Sequence, residues 1–354
     1  MNILVLHPSS FILHPLSSMR LIMMGTGSFA VPTFRQLFEA RHDVALLVTQ
    51  PLRSHRGKEV EPASAMRDIA RQRATPVYDP ESINTPEAQQ HLAGIGADLL
   101  VVCDYGQILA PQTLSTARLG GINLHGSLLP KYRGAAPINW VLLNGDTETG
   151  VTVIHMTPKV DAGPCIARAV TMIDAEETAV ELEARLAESG GWLVRQTIEA
   201  LAEGRLEALP QDPALASKAP RLKKSDGAID WARPALSIKN QVRALEPWPR
   251  TYTFWHRHPQ AGTPGPPVRM ILGPVDVVVS PDSSHPPGIV LEACGDRLVI
   301  AAGQDAVAPR TIQLAGKRPM PIAEVLRGHK IQPGERFGPE QALVVPPLGG
   351  ILDC

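Results

Sequence analysis

Two rhythms of apolar and polar positions run along this chain. From residue 20 the order is an apolar run, RLIMM, a glycine turn, GTGS, a helical stretch, FAVPTFRQLFEA, and a second apolar run, DVALLVT. That is a strand, turn, helix and strand. Further short apolar runs at 98–103, 120–125 and 150–156 alternate with helical stretches near 61–73, 86–93 and 135–143. Strands that alternate with helices predict an α/β fold with a doubly wound, mostly parallel, Rossmann-like sheet. An amphipathic helix over 179–203 stops at Gly204, a common helix end, and the Pro-, Ala- and Ser-rich stretch LPQDPALASKAPRL after it reads as a linker. Beyond Ser225 the rhythm changes. One helix remains, ALSIKNQVRAL, and short runs at 251–254, 268–272, 275–279, 288–291, 297–301 and 311–314 are divided by Gly, Pro and Asp. Short strands with turn chemistry predict a small OB-like β-barrel.

The expected organisation is therefore a sheet domain over 19–208, a linker over 209–224, a barrel over 225–335 and a peripheral tail over 336–354. Residues 1–18, MNILVLHPSSFILHPLSS, repeat the segment LHP and lack the basic start of a secretory signal. They are read as non-structural, with Met19 as the expected natural start.

Composition narrows the class. The chain has 354 residues, 44% hydrophobic and 19% charged, and no apolar run of membrane-spanning length. A globular protein without a membrane partner is expected. The four cysteines, at 103, 165, 294 and 354, form no C-x-x-C pair, so neither a metal site nor a disulfide framework is expected, and a cytoplasmic setting fits best. No apolar heptad points to assembly, and a monomer is expected. The near-neutral total of 34 basic and 35 acidic residues hides an asymmetry: residues 222–330 carry 14 basic against 9 acidic side chains, and the remainder has a net charge of −6. A basic C-terminal half suits a polyanion, although a solvated face has the same composition.

Candidate chemistry centres on Gly121-Ile122-Asn123-Leu124-His125-Gly126. In a strand, Asn123 and His125 share one face, and they emerge just before a glycine, at the strand end where open α/β sheets bind ligands. An amide can donate to an acyl oxygen while the imidazole beside it exchanges a proton. Alone, the two read at least as readily as a structural pair satisfying loop backbone. Asp161, in the turn Val160-Asp161-Ala162-Gly163, can orient a histidine and favour its charged form. No serine or cysteine sits in a nucleophile-elbow pattern, so direct acyl transfer between bound substrates is the expected chemistry.

Other features are weaker. Gly25-Thr26-Gly27-Ser28-Phe29-Ala30 fits a dinucleotide fingerprint, but the second strand ends Val48-Thr49-Gln50 without the acidic residue a ribose needs, so a structural turn is expected. The loop Gln50–Glu59 carries Arg53, Arg56 and Lys58, and Ala315–Met320 carries Lys317 and Arg318; both can hold phosphates or merely face solvent. Trp248, Tyr252, Phe254 and Trp255 are expected in the core.

These residues together resemble the methionyl-tRNA formyltransferase family from Met19 to about Lys330. MRLIMMGTGSFA resembles its opening strand and turn, and GGINLHGSLLPKYRGAAPINWVLLNGDTETGVTVIHM its transfer core. VDAG resembles the family's aspartate loop; SDGAIDW, EPWPRTY and LAGKRPM resemble markers of its second domain. The resemblance implies formyl transfer from 10-formyltetrahydrofolate, a co-substrate, to the amine of initiator methionyl-tRNA, with no metal. It implies catalytic roles for Asn123, His125 and Asp161, and folate contacts by Ser127, Leu128, Leu129 and Pro130 and by the backbone turn at Tyr105, Gly106, Gln107 and Ile108. It also implies tRNA contacts by Arg53, Arg56, Lys58, Lys317 and Arg318. Relatives with the same elements formylate amino-sugar nucleotides, so the core fixes the chemistry more firmly than the acceptor; a non-catalytic tRNA- or folate-binding protein is the remaining alternative. Three departures stand out. Cys103-Asp104-Tyr105-Gly106 replaces V-A-Y-G, GTGS replaces G-T-P-x, and the basic loop is a residue short with Glu59 in place of a lysine.

Overall fold

The computed structural model describes residues 18–40, 42–52, 64–257, 265–280 and 285–341. They form two compact units. The first is the chain up to Ile138 with Thr147–Asp174 and Glu181–Pro220; the second is Asn139–Asp146, Ala175–Val180 and the chain from Arg221 onward.

The first unit is a seven-stranded sheet. In chain order the elements up to residue 202 are β1 (Arg20–Gly25), α1 (Ala30–Glu39), β2 (Asp43–Val48), α2 (Ala65–Gln72), β3 (Val77–Tyr78), α3 (Pro86–Ile95), β4 (Leu99–Cys103), α4 (Pro111–Leu114), β5 (Gly121–His125), α5 (Pro137–Asn144), most of which is counted with the second unit, β6 (Glu148–His155), β7 (Cys165–Met172) and α6 (Ala179–Ala202). The strand order is β3-β2-β1-β4-β5-β6-β7. Pairing is parallel from β3 to β5 and antiparallel from β5 to β7. Central strands β1 and β4 are buried almost end to end, which is why they read as unbroken apolar runs. Ile22, Met24, Leu46, Val48, Leu100 and Val102 pack together on one side of the sheet. The order in which strands are added reverses between β1 and β4, the crevice position where such sheets bind ligands. Local signals set the helix starts: Ser64 accepts from the Arg67 amide and Thr85 from the Ala88 amide.

Strand β7, at the antiparallel edge, carries no clear signal in the sequence. Only the first half of CIARAVTM is buried, so its pattern is irregular. The linker expectation for 209–224 is corrected over its first part. Leu209 exchanges backbone hydrogen bonds with Cys165, and Arg133 exchanges them with Ser217 and Ala219, so this segment is a strap on the first unit. Its composition reads as a loop because its order comes from backbone pairing with distant residues.

The second unit contains α7 (Ala235–Ala244), β8 (Thr251–His256), β9 (Val268–Leu272), β10 (Val275–Val278), β11 (Val290–Cys294), β12 (Arg297–Ala301), β13 (Ala306–Pro309), β14 (Thr311–Leu314), β15 (Met320–Pro321), α8 (Ile322–Gly328) and β16 (Arg336–Gly338). Its strands form two antiparallel sheets, β10-β13-β12-β11 and β15-β14-β9-β8-β16, joined by an isolated bridge between Ile289 and Arg336. This is an OB-like arrangement of two sheets around one core that includes Trp231, Ile238, Met270, Ile300, Ile312 and Phe337. The peripheral-tail expectation is corrected over 336–338. Strand β16 pairs with β8 and Phe337 is fully buried, because a three-residue strand is too short for a visible period.

The aromatic cluster is corrected as well. Trp255 is core and its indole N–H donates to Glu335 at 2.8 Å, but Trp248 is 50% exposed and Tyr252 and Phe254 are only half-buried. Strand β8 buries Thr251, Thr253 and Trp255, which places Tyr252 and Phe254 on its outer face.

Candidate active site

Strand β5 ends the sheet's parallel run and turns Ile122 and Leu124 into the core. The alternate positions, Asn123 and His125, share the opposite face. Asn123 is half-buried there. His125 is nearly buried, at 6% side-chain exposure. Its Nε2 lies 2.8 Å from the Tyr132 carbonyl oxygen. A carbonyl only accepts, so Nε2 carries a hydrogen and Nδ1 is the nitrogen left for chemistry.

Nδ1 faces Asp161, whose Oδ2 lies 3.7 Å away. This is outside hydrogen-bond range, and catalytic contacts of this kind often shorten once substrate is bound. Asp161 sits in the left-handed region at φ 50°. It is held from both sides: its Oδ2 accepts from the Gly134 amide at 2.9 Å, and its own carbonyl accepts from the Gln211 side chain at 2.8 Å. Gln211 also donates to the Gly163 carbonyl and accepts from the Arg133 guanidinium. The Ser217 hydroxyl accepts from the Tyr132 amide at 2.8 Å, which fixes the backbone that carries the histidine's partner. Gln211 and Ser217 both come from the strap, and sequence reasoning missed them because they lie far along the chain in a segment that reads as a linker.

The turn after His125 is closed by its own polar groups. Ser127 donates to the Lys131 carbonyl at 2.7 Å, and the Thr152 hydroxyl donates to the Ser127 carbonyl and accepts from the Leu129 amide. The Leu129–Pro130 peptide is cis. Of the four residues expected to meet folate here, Ser127 and Leu129 are fully buried, while Leu128 and Pro130 are half-buried. In the neighbouring turn the Tyr105 side chain packs into the core, its hydroxyl pKa raised by burial. Gly106 and Ile108 are exposed. The Tyr105 carbonyl accepts from the Gln50 side chain and the Thr26 hydroxyl, and the Ile108 carbonyl from Asn84. Arg53, Arg56 and Lys58 lie outside the described residues; Lys317 and Arg318 are exposed, and Arg318 pairs with Glu324 at 2.8 Å.

The GTGS turn is structural, as expected. The amides of Thr26 and Gly27, which a phosphate would need, both point at the Asp104 carbonyl. Two departures from the family pattern prove to be one packing solution. A Cβ on residue 27 would lie 1.8 Å from Asp104 Oδ2, so glycine at 27 makes room for the carboxylate at 104. Although the Asp104 side chain reaches solvent, crowding by protein raises its carboxyl pKa to about 6, with Glu183 adding to the effect. The folded value exceeds the ordinary 3.8, so ionisation disfavours the fold; the penalty grows as pH rises from about 4 to about 6 and is full above that. Asp104→Asn is expected to raise the thermal midpoint more at about pH 7.5 than at about pH 4, and equal shifts would count against it. Gly27→Ala pushes aside only the tip of the Asp104 side chain and is expected to destabilise the parent by no more than about 1 kcal/mol, and by less on an Asp104→Ala background. A double-mutant cycle of urea unfolding reads this coupling.

Among the described residues no group of three His, Cys, Asp or Glu side chains is placed to hold a metal ion, and no helix is long and apolar enough to cross a membrane.

A doubly wound sheet in which His125 faces Asp161 beyond the carboxyl end of β5, followed by an OB-like unit, is an architecture that fits the formyl transferase class of enzymes. Residues 19–198 match the formyl transferase family profile and residues 221–330 match its C-terminal domain. The methionyl-tRNA formyltransferase of Rhodopirellula baltica is 43% identical over 330 residues, covering 90% of this chain and 97% of its own length. That of Solibacter usitatus is 40% identical over 321 residues, covering 90% and 99%. The chain belongs to the methionyl-tRNA formyltransferase family. Among solved structures, an N-formyltransferase from Helicobacter canadensis in complex with folinic acid and dTDP-3-aminofucose has a TM-score of 0.59 at 17% identity, covering 82% of this chain and 99% of its own. HypX from Aquifex aeolicus has a TM-score of 0.56 at 16% identity, covering 88% of this chain and 48% of its own. At these identities the likeness is one of fold.

Proposed function

We propose that this chain transfers the formyl group of 10-formyltetrahydrofolate to the amine of initiator methionyl-tRNA by direct acyl transfer, preparing it for translation initiation. The observation that carries the mechanism is a His125 whose Nδ1 faces Asp161, on the strand face that it shares with Asn123. The acceptor rests on the relatives that match nearly full length under that name, and a folate-type donor is supported by the folinic acid bound to the Helicobacter enzyme.

In this mechanism the neutral amine attacks the formyl carbon and the carbonyl electrons move onto oxygen. The Asn123 N–H and the protonated Nδ1 of His125 donate to that oxyanion. Because Nε2 is committed to Tyr132, only Nδ1 can do this. Asp161 helps to remove the amine proton. The intermediate collapses by breaking the bond to N10, which leaves with a proton as tetrahydrofolate. Leu128 and Pro130, with the backbone at Tyr105, Gly106 and Ile108, are assigned to the folate, and Ser127 and Leu129 to shaping that turn from beneath. The basic loop at Arg53, Arg56 and Lys58, with Lys317 and Arg318 of the C-terminal domain, is assigned to the tRNA.

The experiment is transfer of labelled formyl from 10-formyltetrahydrofolate to charged initiator tRNA, with charged elongator tRNA and an amino-sugar nucleotide as competing acceptors. Strong preference for the initiator is expected. Transfer to the sugar alone would overturn the acceptor, and transfer to none would overturn the catalytic reading.

A further inference from the structure

We infer that Gln211 is a positioning residue for the transfer reaction, a side chain through which the strap over 209–219 fixes Asp161 against His125; the inference rests on the catalytic reading of Asp161 above. The need arises at Asp161 itself. At φ 50° it lies in the left-handed region, which side-chain-bearing residues rarely adopt and which persists only where surrounding contacts over-determine it. Within its own turn the Ala162 amide reaches the Lys159 carbonyl only at 3.3 Å. The firmer restraint comes from Gln211, 50 residues further along the chain.

Every hydrogen-bonding position of the Gln211 amide is taken. Its Nε2 donates to the Asp161 carbonyl at 2.8 Å and to the Gly163 carbonyl at 2.7 Å, and its Oε1 accepts from Arg133 Nε at 3.1 Å and from Arg133 Nη2 at 2.7 Å. A carboxamide has two N–H groups and two oxygen lone pairs, so nothing is left for a substrate and the role is one of placement. Its orientation is also fixed. Turned over, the amide would set its oxygen against two carbonyls and its N–H groups against a guanidinium. By gripping both ends of the 161–163 turn, Gln211 sets the direction of that turn and with it the aim of the Asp161 carboxylate.

Arg133 closes the frame. Its amide donates to the Ser217 carbonyl at 2.9 Å and its carbonyl accepts from the Ala219 amide at 2.8 Å, so the strap holds this residue by main chain as well as by side chain. The neighbours on either side meet the catalytic pair: the Tyr132 carbonyl lies against His125 Nε2, and the Gly134 amide donates to Asp161 Oδ2. Both contacts are therefore one residue away from a position the strap fixes, and Gln211 ties that position to the Asp161 main chain. The charge on Arg133 polarises the amide it meets and strengthens the two N–H bonds on its far side. Without Gln211 the turn loses this tie, and a displacement of about 1 Å can lower a rate about 10²-fold.

The test uses the full chain with Gln211→Glu and Gln211→Asn, and measures kcat and the KM of both substrates. Glutamate keeps the pair with Arg133 but sets an oxygen against the two carbonyls, and asparagine, one methylene shorter, cannot span from the guanidinium to both of them. Each variant is expected to lower kcat about tenfold or more, to leave both KM values within about twofold, and to melt near the parent. On an Asp161→Asn background the same changes are expected to cost less than about twofold further, because a residue that acts through Asp161 has no carboxylate left to place. Deuterium exchange at the Gly134 amide is expected to quicken in both variants. Parental kcat in folded variants, an undiminished loss on the Asp161→Asn background, or unchanged Gly134 exchange would each overturn the assignment. Should the glutamate variant not fold, the asparagine variant gives the same readings. If the parent formylates an amino-sugar nucleotide instead of tRNA, the acceptor reading fails and the readings are taken with that acceptor; if it formylates nothing, the catalytic reading fails, and Gly134 exchange alone decides whether Gln211 holds the loop.

Discussion

Replacement of His125 by alanine is expected to lower kcat for formyl transfer by at least about 10²–10³-fold, the usual consequence of losing one oxyanion donor. The effect should fall on kcat, because the ring contributes little surface for binding either substrate. Some stability will also be lost. The ring is nearly buried, and its removal leaves the Tyr132 carbonyl without its partner, which costs about 1–3 kcal/mol. Asp161→Asn separates charge from scaffolding: the amide oxygen can still accept from the Gly134 amide, while the field on Nδ1 disappears. A loss of about 10²-fold or more in that variant, with a melting temperature near the parent's, is the expected signature of an electrostatic role. Parental turnover in folded His125→Ala protein would remove the histidine from the mechanism.

Gly163→Ala should be nearly as damaging without touching a catalytic group. A Cβ at this position would lie 1.7 Å from the His155 carbonyl oxygen, which is strand backbone and cannot swing aside as a flexible side chain can. The loop doubles back tightly here, with the His155 amide donating to the Pro164 carbonyl at 3.0 Å. To accept a methyl group the loop must lift from β6, carrying Asp161, two residues earlier, away from Gly134 and His125. Overpacking of this kind costs about 1–3 kcal/mol, and displacing a catalytic group by about 1 Å can lower the rate about 10²-fold. Urea unfolding and kcat measured on the same preparation test both halves. A destabilised enzyme with parental kcat would mean that the glycine serves the fold and not the position of Asp161.

Much of the site was legible because it obeys local rules. A period of two places Asn123 beside His125, the glycine after them marks a strand end, and the VDAG turn offers a carboxylate. The first unit's parallel strands read as apolar runs for the same reason: burial on both faces leaves no polar position to interrupt them. Long-range partners have no such signature. The groups that hold His125 and Asp161 are the Tyr132 carbonyl and the Gly134 amide, and backbone atoms are the same in every residue. Gln211 and Ser217 reach the site from a strap whose Pro- and Ala-rich composition reads as a linker. Half-buried edges hid β7, and brevity hid β16.

The aromatic positions mark the same boundary from the other side. TYTFWH alternates as a strand should, and from the sequence alone the aromatic residues were expected in the core. Pairing of β8 with β9 and β16 decided that Thr253 and Trp255 point inward and Tyr252 and Phe254 outward. Likewise, Gly27 and Asp104 stand as two unrelated departures until β1 and β4 are neighbours and the carboxylate is seen in the space a Cβ would fill. By itself, the sequence determined the class of fold and the common face of the proposed pair Asn123 and His125, because these follow from periodicity within a few residues. Tertiary structure alone decided which atom of His125 is free to react, what holds Asp161 against it and which face of β8 meets solvent, because each depends on residues brought together only when the chain folds.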